Sequence, residues 1–89
     1  MDIDLVLVPV DGSDRSEQAA AYATAIAERY GARLHLLFVL DERLRRDLDA
    51  GTVDPDAVAD DHRAFTDRVR EQSPALGTDV TLDTSTATA

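Results

Sequence analysis

The 89-residue sequence contains no cysteine, no lysine and no tryptophan. Without cysteine the chain cannot form a disulfide, a thiolate zinc site or a cysteine nucleophile. Without lysine it cannot form a P-loop, and it also has no G-x-G-x-x-G motif. No apolar run approaches the roughly 20 residues that a membrane span needs, so we expect no membrane-spanning helix. Disulfide, thiol and P-loop chemistry are therefore excluded.

Acidic residues outnumber basic ones by 18 to 9, and the formal net charge is −9. Nucleic acids and anionic membranes are bound mainly through Lys and Arg, so we expect neither as a partner. An Asp-rich, Lys-free composition resembles that of proteins from salt-accumulating halophiles, in which high salt screens the self-repulsion. An ordinary acidic protein is the alternative. The sequence starts Met1-Asp2-Ile3-Asp4 without the basic region of a signal peptide, which favours a cytoplasmic location.

Apolar runs and amphipathic segments alternate along the chain and predict a single α/β domain over residues 1–84. The predicted order is strand, helix, strand, short helix, helix, strand, over residues 3–10, 15–30, 33–40, 41–50, 54–72 and 79–84. A strand–helix–strand unit with short connections is nearly always parallel and right-handed. We therefore predict an open parallel sheet with flanking helices. Residues 85–89 are Ser, Thr and Ala, and we expect them to form a flexible tail.

The ends of the predicted helices carry recognisable signals. Asp14, with Glu17 three residues later, predicts a capping box at the start of the first helix. Gly31 is suited to end that helix because glycine accepts positive φ. Asp54 followed by Pro55 predicts the start of the last helix. The stripe of the first helix that we expect to face the sheet consists of Ala19, Ala23, Ile26, Ala27 and Tyr30.

The most informative motif is the loop after the first strand, which runs Pro9-Val10-Asp11-Gly12-Ser13. In open α/β sheets, ligands bind just beyond the carboxyl ends of the strands. Asp11 is placed to accept hydrogen bonds from a ribose or another polar group, while the backbone of Val10 and Gly12 approaches the ligand. Alternatively, Asp-Gly-Ser is only good turn chemistry before a helix. The residues alone leave both interpretations open.

Other polar residues favour structural roles. Ser13, His35 and Asp11 could suggest a hydrolytic triad, but His35 lies inside the second strand, and we interpret it as an ordinary strand residue. His62 follows two aspartates, and successive helix positions diverge, so we interpret it as partly buried rather than as a metal ligand. A small group of basic residues is expected to form a salt-paired surface: Arg43, Arg45 and Arg46.

Taken together, three features resemble the universal stress protein family. They are the V-P-V-D-G-S loop, the helix that carries Ser16, Ala19, Ala20 and Ala23, and the second strand Leu34-His35-Leu36-Leu37-Phe38-Val39. The family has a five-stranded parallel sheet of the Rossmann-like, adenine nucleotide α hydrolase-like type, is often dimeric, and includes members that bind ATP. The resemblance implies a domain truncated after its third strand, with strand order 3-2-1.

The resemblance also implies which residues meet a ligand. In ATP-binding members the end of the first strand contacts the nucleoside, at positions matching Pro9, Val10 and Asp11, and the end of the second strand meets the adenine, at Val39. The family's phosphate loop, G-x-x-G-x(9)-G-[ST], follows a fourth strand that this sequence lacks. We therefore expect at most weak binding of ATP or another adenine nucleotide, without catalysis and without a metal.

Two functions remain open at this point. The first is a stress-response module with only the nucleoside half of a nucleotide site, to which Gly12 and Ser13 could contribute. The second is an interaction module, or gene fragment, that binds no ligand and pairs with another copy or with a full-length relative. The first strand would then be the exposed edge at which the partner binds.

Overall fold

The computed structural model describes residues 2–76 and 79–88 and contains one parallel three-stranded sheet of order β1-β2-β3. The elements in chain order are β1 Leu5–Val10, α1 Asp14–Tyr30, β2 Arg33–Leu40, α2 Glu42–Ala50, α3 Pro55–Gln72 and β3 Leu82–Thr88. The predicted α/β class, the element order and the strand order 3-2-1 are confirmed. Within the described ranges, no helix is both long and apolar enough to cross a membrane.

The last strand begins and ends later than the sequence predicts. Strand β3 runs Leu82–Thr88, not over residues 79–84, and pairs with β2 from Leu34↔Leu82 to Leu40↔Thr88. The amides of Asp79 and Val80 instead donate to the carbonyl of Ala75, and the pairing with β2 starts at Thr81, whose carbonyl accepts from the amide of Leu34. Most of the predicted tail is therefore part of this strand. Strand pairing uses backbone hydrogen bonds, which do not require apolar side chains, and threonine is favoured in strands. Ala89 lies outside the described residues.

The first helix begins one residue earlier than predicted, and its cap is different. Ser13, not Asp14, is the N-cap residue, and its Oγ accepts a hydrogen bond from the amide of Ser16 at 3.2 Å. The carboxylate of Glu17 does not complete a capping box, because it pairs with Arg68 of α3 at 2.7 Å. The other end is as predicted, since Gly31 caps it with a φ of 64°.

The core lies on one face of the sheet, between the strands and the helices α1 and α3. The buried apolar residues come from alternate positions of β1 and β2, from α1 and α3, and from the segments before β2 and β3: Val8, Val10, Ala20, Ala23, Ala27, Ala32, Leu34, Leu36, Phe38, Phe65, Val69, Leu76 and Val80. The stripe of α1 is rotated from the predicted one, because Ala20 and Thr24 are buried whereas Ala19 and Tyr30 are exposed. Small side chains on this stripe let α1 lie close to the sheet.

The opposite face of the sheet carries no helix in the described part of the chain. Leu5 and Leu7 of β1 are 53% and 54% exposed, and Pro9 is exposed beside them. Parallel sheets normally have both faces covered, so this open face is unusual. We call it the open sheet face; besides these β1 residues it includes His35, Leu37 and Val39 of β2 and Asp83, Ser85 and Ala87 of β3.

Strand β1 also lies at an edge of the sheet, since it pairs only with β2 among the described residues. The carbonyl of Asp4 accepts a hydrogen bond from the amide of Arg33, and successive residues of a strand direct their backbone groups to opposite sides. The backbone groups of Leu5, Leu7 and Pro9 therefore point away from β2, toward the unpaired edge. Proline has no amide hydrogen to donate there, which shortens the row of free donors at this edge.

Candidate functional site

A cavity of about 440 Å³ lies beyond the carboxyl ends of β1 and β2. It contains four of the residues predicted for the nucleoside, Pro9, Val10, Asp11 and Val39, together with Ser13. Val10, the last residue of β1, is paired with Phe38 of β2. The next residue of β2, Val39, therefore lies just beyond the end of β1. The remaining lining residues come from the start of α1: Arg15, Ser16 and Ala19. We call this the Asp11–Val39 cavity.

The loop between β1 and α1 sets the direction of Asp11. Gly12 has a φ of 85°, a conformation that favours glycine, and it allows the chain to turn sharply after the strand. The Oδ1 atom of Asp11 then accepts a hydrogen bond from the amide of Ser13 at 2.9 Å. The turn chemistry expected for Asp-Gly-Ser is therefore present, and it presents an acidic side chain at the mouth of the cavity.

Hydrogen bonds lower the pKa of the Asp11 carboxyl below its ordinary value. The largest cause is the nearby hydroxyl of Ser13, followed by the hydrogen bond from the Ser13 amide and by the hydroxyl of Ser16. Each favours the charged form, which accepts hydrogen bonds. Asp11 is consequently an ionised acceptor at neutral pH, and a carboxylate retains further acceptor positions beyond the one that Ser13 uses.

Gly12 lies apart from the other predicted residues, in a second cavity that shares only Asp11 with the first. This α2–α3 cavity has a volume of about 450 Å³. Its lining is mostly apolar and comes from α2, α3 and the loops next to them: Leu44, Val53, Ala57, Val58, Asp61, His62, Ala64, Phe65 and Arg68. The Asp11-Gly12 turn therefore separates two cavities at the same end of the sheet.

Neither histidine lies in the Asp11–Val39 cavity. The Nε2 atom of His35 in β2 is 2.6 Å from the Oγ atom of Ser85 in the neighbouring strand β3. This hydrogen bond lies on the open sheet face, so His35 does not form a triad with Ser13. His62 is half-buried on α3, as predicted, and its ring stacks on that of Phe38. Burial lowers the pKa of His62, an effect that the nearby charge of Asp61 partly opposes.

Charged residues elsewhere form pairs rather than a metal centre. Arg46 pairs with Glu42 at 2.6 Å, whereas Arg43 and Arg45 are in none of the ion pairs of the described residues, so the predicted salt-paired surface is present only in part. In residues 2–76 and 79–88, no three His, Asp or Glu side chains come close enough together to hold a metal ion.

The sequence analysis missed Arg15, which lines the Asp11–Val39 cavity. Its place two residues after Ser13, at the helix start, is the signal that could have revealed it.

Comparison with solved structures places this geometry among known folds. Universal stress protein UspA from Lactobacillus plantarum is 27% identical, with a TM-score of 0.66, over 100% of this chain and 63% of that protein. A universal stress protein solved in complex with cAMP is 22% identical, with a TM-score of 0.60, over 98% of this chain and 57% of that protein. A family member from Burkholderia pseudomallei is 24% identical, with a TM-score of 0.56, over 97% and 63% of the two chains.

The chain thus spans about three-fifths of the length of these relatives, between 57% and 63%. Comparison with curated protein sequences gives no match. The sequence profile of the universal stress protein family matches residues 3–85, which include every strand except the end of β3 and all three helices. This chain therefore belongs to the universal stress protein family.

Proposed function

We propose that this universal stress protein domain binds an adenine nucleoside in the Asp11–Val39 cavity, as a stress-response module without catalytic activity. The observation that carries the proposal is the lining of that cavity, where Pro9, Val10, Asp11 and Val39 come together at the carboxyl ends of two strands. Its volume of about 440 Å³ is in the range of small-molecule sites, which is about 300–1,000 Å³.

The cavity offers the two kinds of contact that a nucleoside needs. The ionised carboxylate of Asp11 accepts hydrogen bonds from ribose hydroxyls, since its pKa is lowered by the bonds it already receives. Pro9 and Val39, which are not buried, supply apolar surface for the faces of a base. The backbone carbonyl of Val39 faces the β1 side just past the last residue of β1, and it supplies an acceptor for the polar edge of the base.

An adenine ligand is part of the proposal, and the residues of the chain argue against tight binding of ATP. One structural neighbour was solved with cAMP, although that likeness, at 22% identity, concerns the fold. The 89 residues contain no glycine-rich phosphate loop. We therefore expect the triphosphate of ATP to add little affinity, because no cradle of glycine amides is available to it.

Calorimetric titration with adenosine tests this function. We expect a dissociation constant on the order of 1 mM, or about −4 kcal/mol, for the unaltered chain. Asp11→Asn should weaken binding about tenfold, because a hydrogen bond to a charged group contributes roughly 1.5–3 kcal/mol. Asp49→Asn, an equal charge change at an exposed site on α2 outside both cavities, serves as the control. Absence of adenosine binding, or equal effects of the two substitutions, would overturn the proposal.

A second proposal concerns association with another copy or with a full-length relative. It rests on the unpaired edge of β1 and the open sheet face, where Leu5 and Leu7 are each about half exposed. An exposed strand edge invites pairing with another strand. Two copies related by a two-fold axis could pair β1 with β1 in antiparallel fashion and satisfy both edges.

Sedimentation at several protein concentrations tests the association. Leu7→Glu should shift the chain toward monomer, because it places a charge on the open sheet face. Tyr22→Glu is the matched control, since Tyr22 is a large hydrophobic residue that is 73% exposed on α1, away from that face. A folded monomer at every concentration would rule out self-association, and equal shifts for both variants would show that the face has no special role.

A further inference from the structure

One basic side chain lines the Asp11–Val39 cavity. Among the lining residues of that cavity, Arg15 is the one that carries a positive charge. Four other arginines are held in ion pairs within the described residues: Arg33, Arg46, Arg63 and Arg68. Arg15 is in none of these pairs, so its guanidinium is available to a bound molecule.

We propose that Arg15 binds an anionic group of the ligand, so that the cavity takes a nucleoside carrying one phosphate rather than the free nucleoside. The inference rests on the proposed nucleoside site. Asp11 and Arg15 present an acceptor and a donor of opposite charge to the same cavity. A ligand that complements both has hydroxyl donors at one end and an anion at the other. The planar guanidinium matches a phosphate through two parallel hydrogen bonds.

The surrounding charges limit the ligand to about one phosphate group. Asp14 and Glu17 are also in the first turn of α1, but Glu17 is paired with Arg68 at 2.7 Å. The unpaired charges that remain at this end of the helix sum to one negative charge, and they belong to Asp11, Asp14 and Arg15. Further phosphates would meet these carboxylates without a second cation, on a chain whose net charge is already −9. The second and third phosphates of ATP should therefore add nothing.

Parallel titrations with adenosine, AMP and ATP test the role of Arg15. They are done at the lowest KCl concentration at which circular dichroism shows the chain folded, because salt screens exposed charges. The unaltered chain should bind AMP about fivefold to tenfold more tightly than adenosine, and ATP no more tightly than AMP. Arg15→Gln should remove the preference for AMP over adenosine. Arg29→Gln, in the last turn of the same helix, is the control.

A spectroscopic signal gives a second readout that does not depend on the affinity ratio. The Nε–Hε resonance of Arg15 should shift when AMP is added and stay in place with adenosine, at any salt concentration at which both ligands bind. The outcomes distinguish the nucleoside site from the phosphate contact of Arg15. If adenosine binds but Arg15→Gln leaves the AMP preference intact, Arg15 is not the anion contact and the nucleoside site stands. If neither compound binds, both proposals are wrong.

Discussion

The ring of His62 stacks on the ring of Phe38, with centroids 4.0 Å apart and an interplanar angle of 14°. Phe65 meets the same Phe38 ring edge-on, at 5.7 Å and 80°. These contacts join α3 to the carboxyl end of β2, next to the proposed site. His62 also lines the α2–α3 cavity, so the position of α3 over the sheet depends on a titratable residue.

We predict that acid destabilises the fold through His62. Burial lowers its pKa, so below the unfolded value of about 6.5 the unfolded chain binds the proton more readily than the folded chain. This contribution to stability is complete above that pH and is lost as the pH falls below it. Urea unfolding at pH 7.5 and 5.5, values that bracket the unfolded pKa of about 6.5, should show a larger loss for the unaltered chain than for His62→Gln. Equal losses would contradict the prediction.

We predict that Ser13, and not Asp14, stabilises the start of α1. Ser13→Ala removes the hydroxyl that accepts from the amide of Ser16 and should lower the free energy of unfolding by about 1 kcal/mol. Asp14→Ala leaves that bond intact and should cost less. Thermal or urea unfolding of both variants measures the difference. A larger effect of Asp14→Ala would support the capping box that the sequence indicates.

We predict that stability increases with salt. Acidic residues outnumber basic ones by 18 to 9, and most of the acids are exposed, so at low ionic strength their repulsion opposes folding. The four ion pairs of the described residues offset this only in part, because exposed pairs are worth about 0–1 kcal/mol. Melting temperatures from about 0.1 to 3 M KCl, which span the screening range, should rise steadily. A flat or falling series would argue against the halophile interpretation.

The elements with strong local signals were predictable from the sequence. Strand β2 has the predicted bounds, and Gly31 and Asp54 end and begin their helices as expected. The bounds of β3 were not predictable, because its residues are polar and its pairing depends on the backbone of β2. The cap of α1 was mispredicted because Ser13 and Asp14 are both good cap residues, and the bond from Ser13 to Asp11 decides between them.

The candidate site was predictable in part. Pro9, Val10, Asp11 and Val39 were chosen from family resemblance, and the sheet brings them together because adjacent parallel strands end at the same edge. Arg15 could not be found in this way, since its side chain reaches the cavity only through the direction in which α1 leaves the loop. The open sheet face was also missed, because it follows from both helices packing on one side of three strands.

An NMR titration of the ¹⁵N-labelled chain with adenosine tests the central claim most directly, since it reports where the ligand binds. We predict that the amide resonances that shift most are those of Val10, Asp11, Ser13 and Val39, around the Asp11–Val39 cavity. The amides of Leu44 and Val58, in the α2–α3 cavity, should shift much less. No shifts at saturating adenosine, or the largest shifts at Leu44 and Val58, would contradict the proposed nucleoside site.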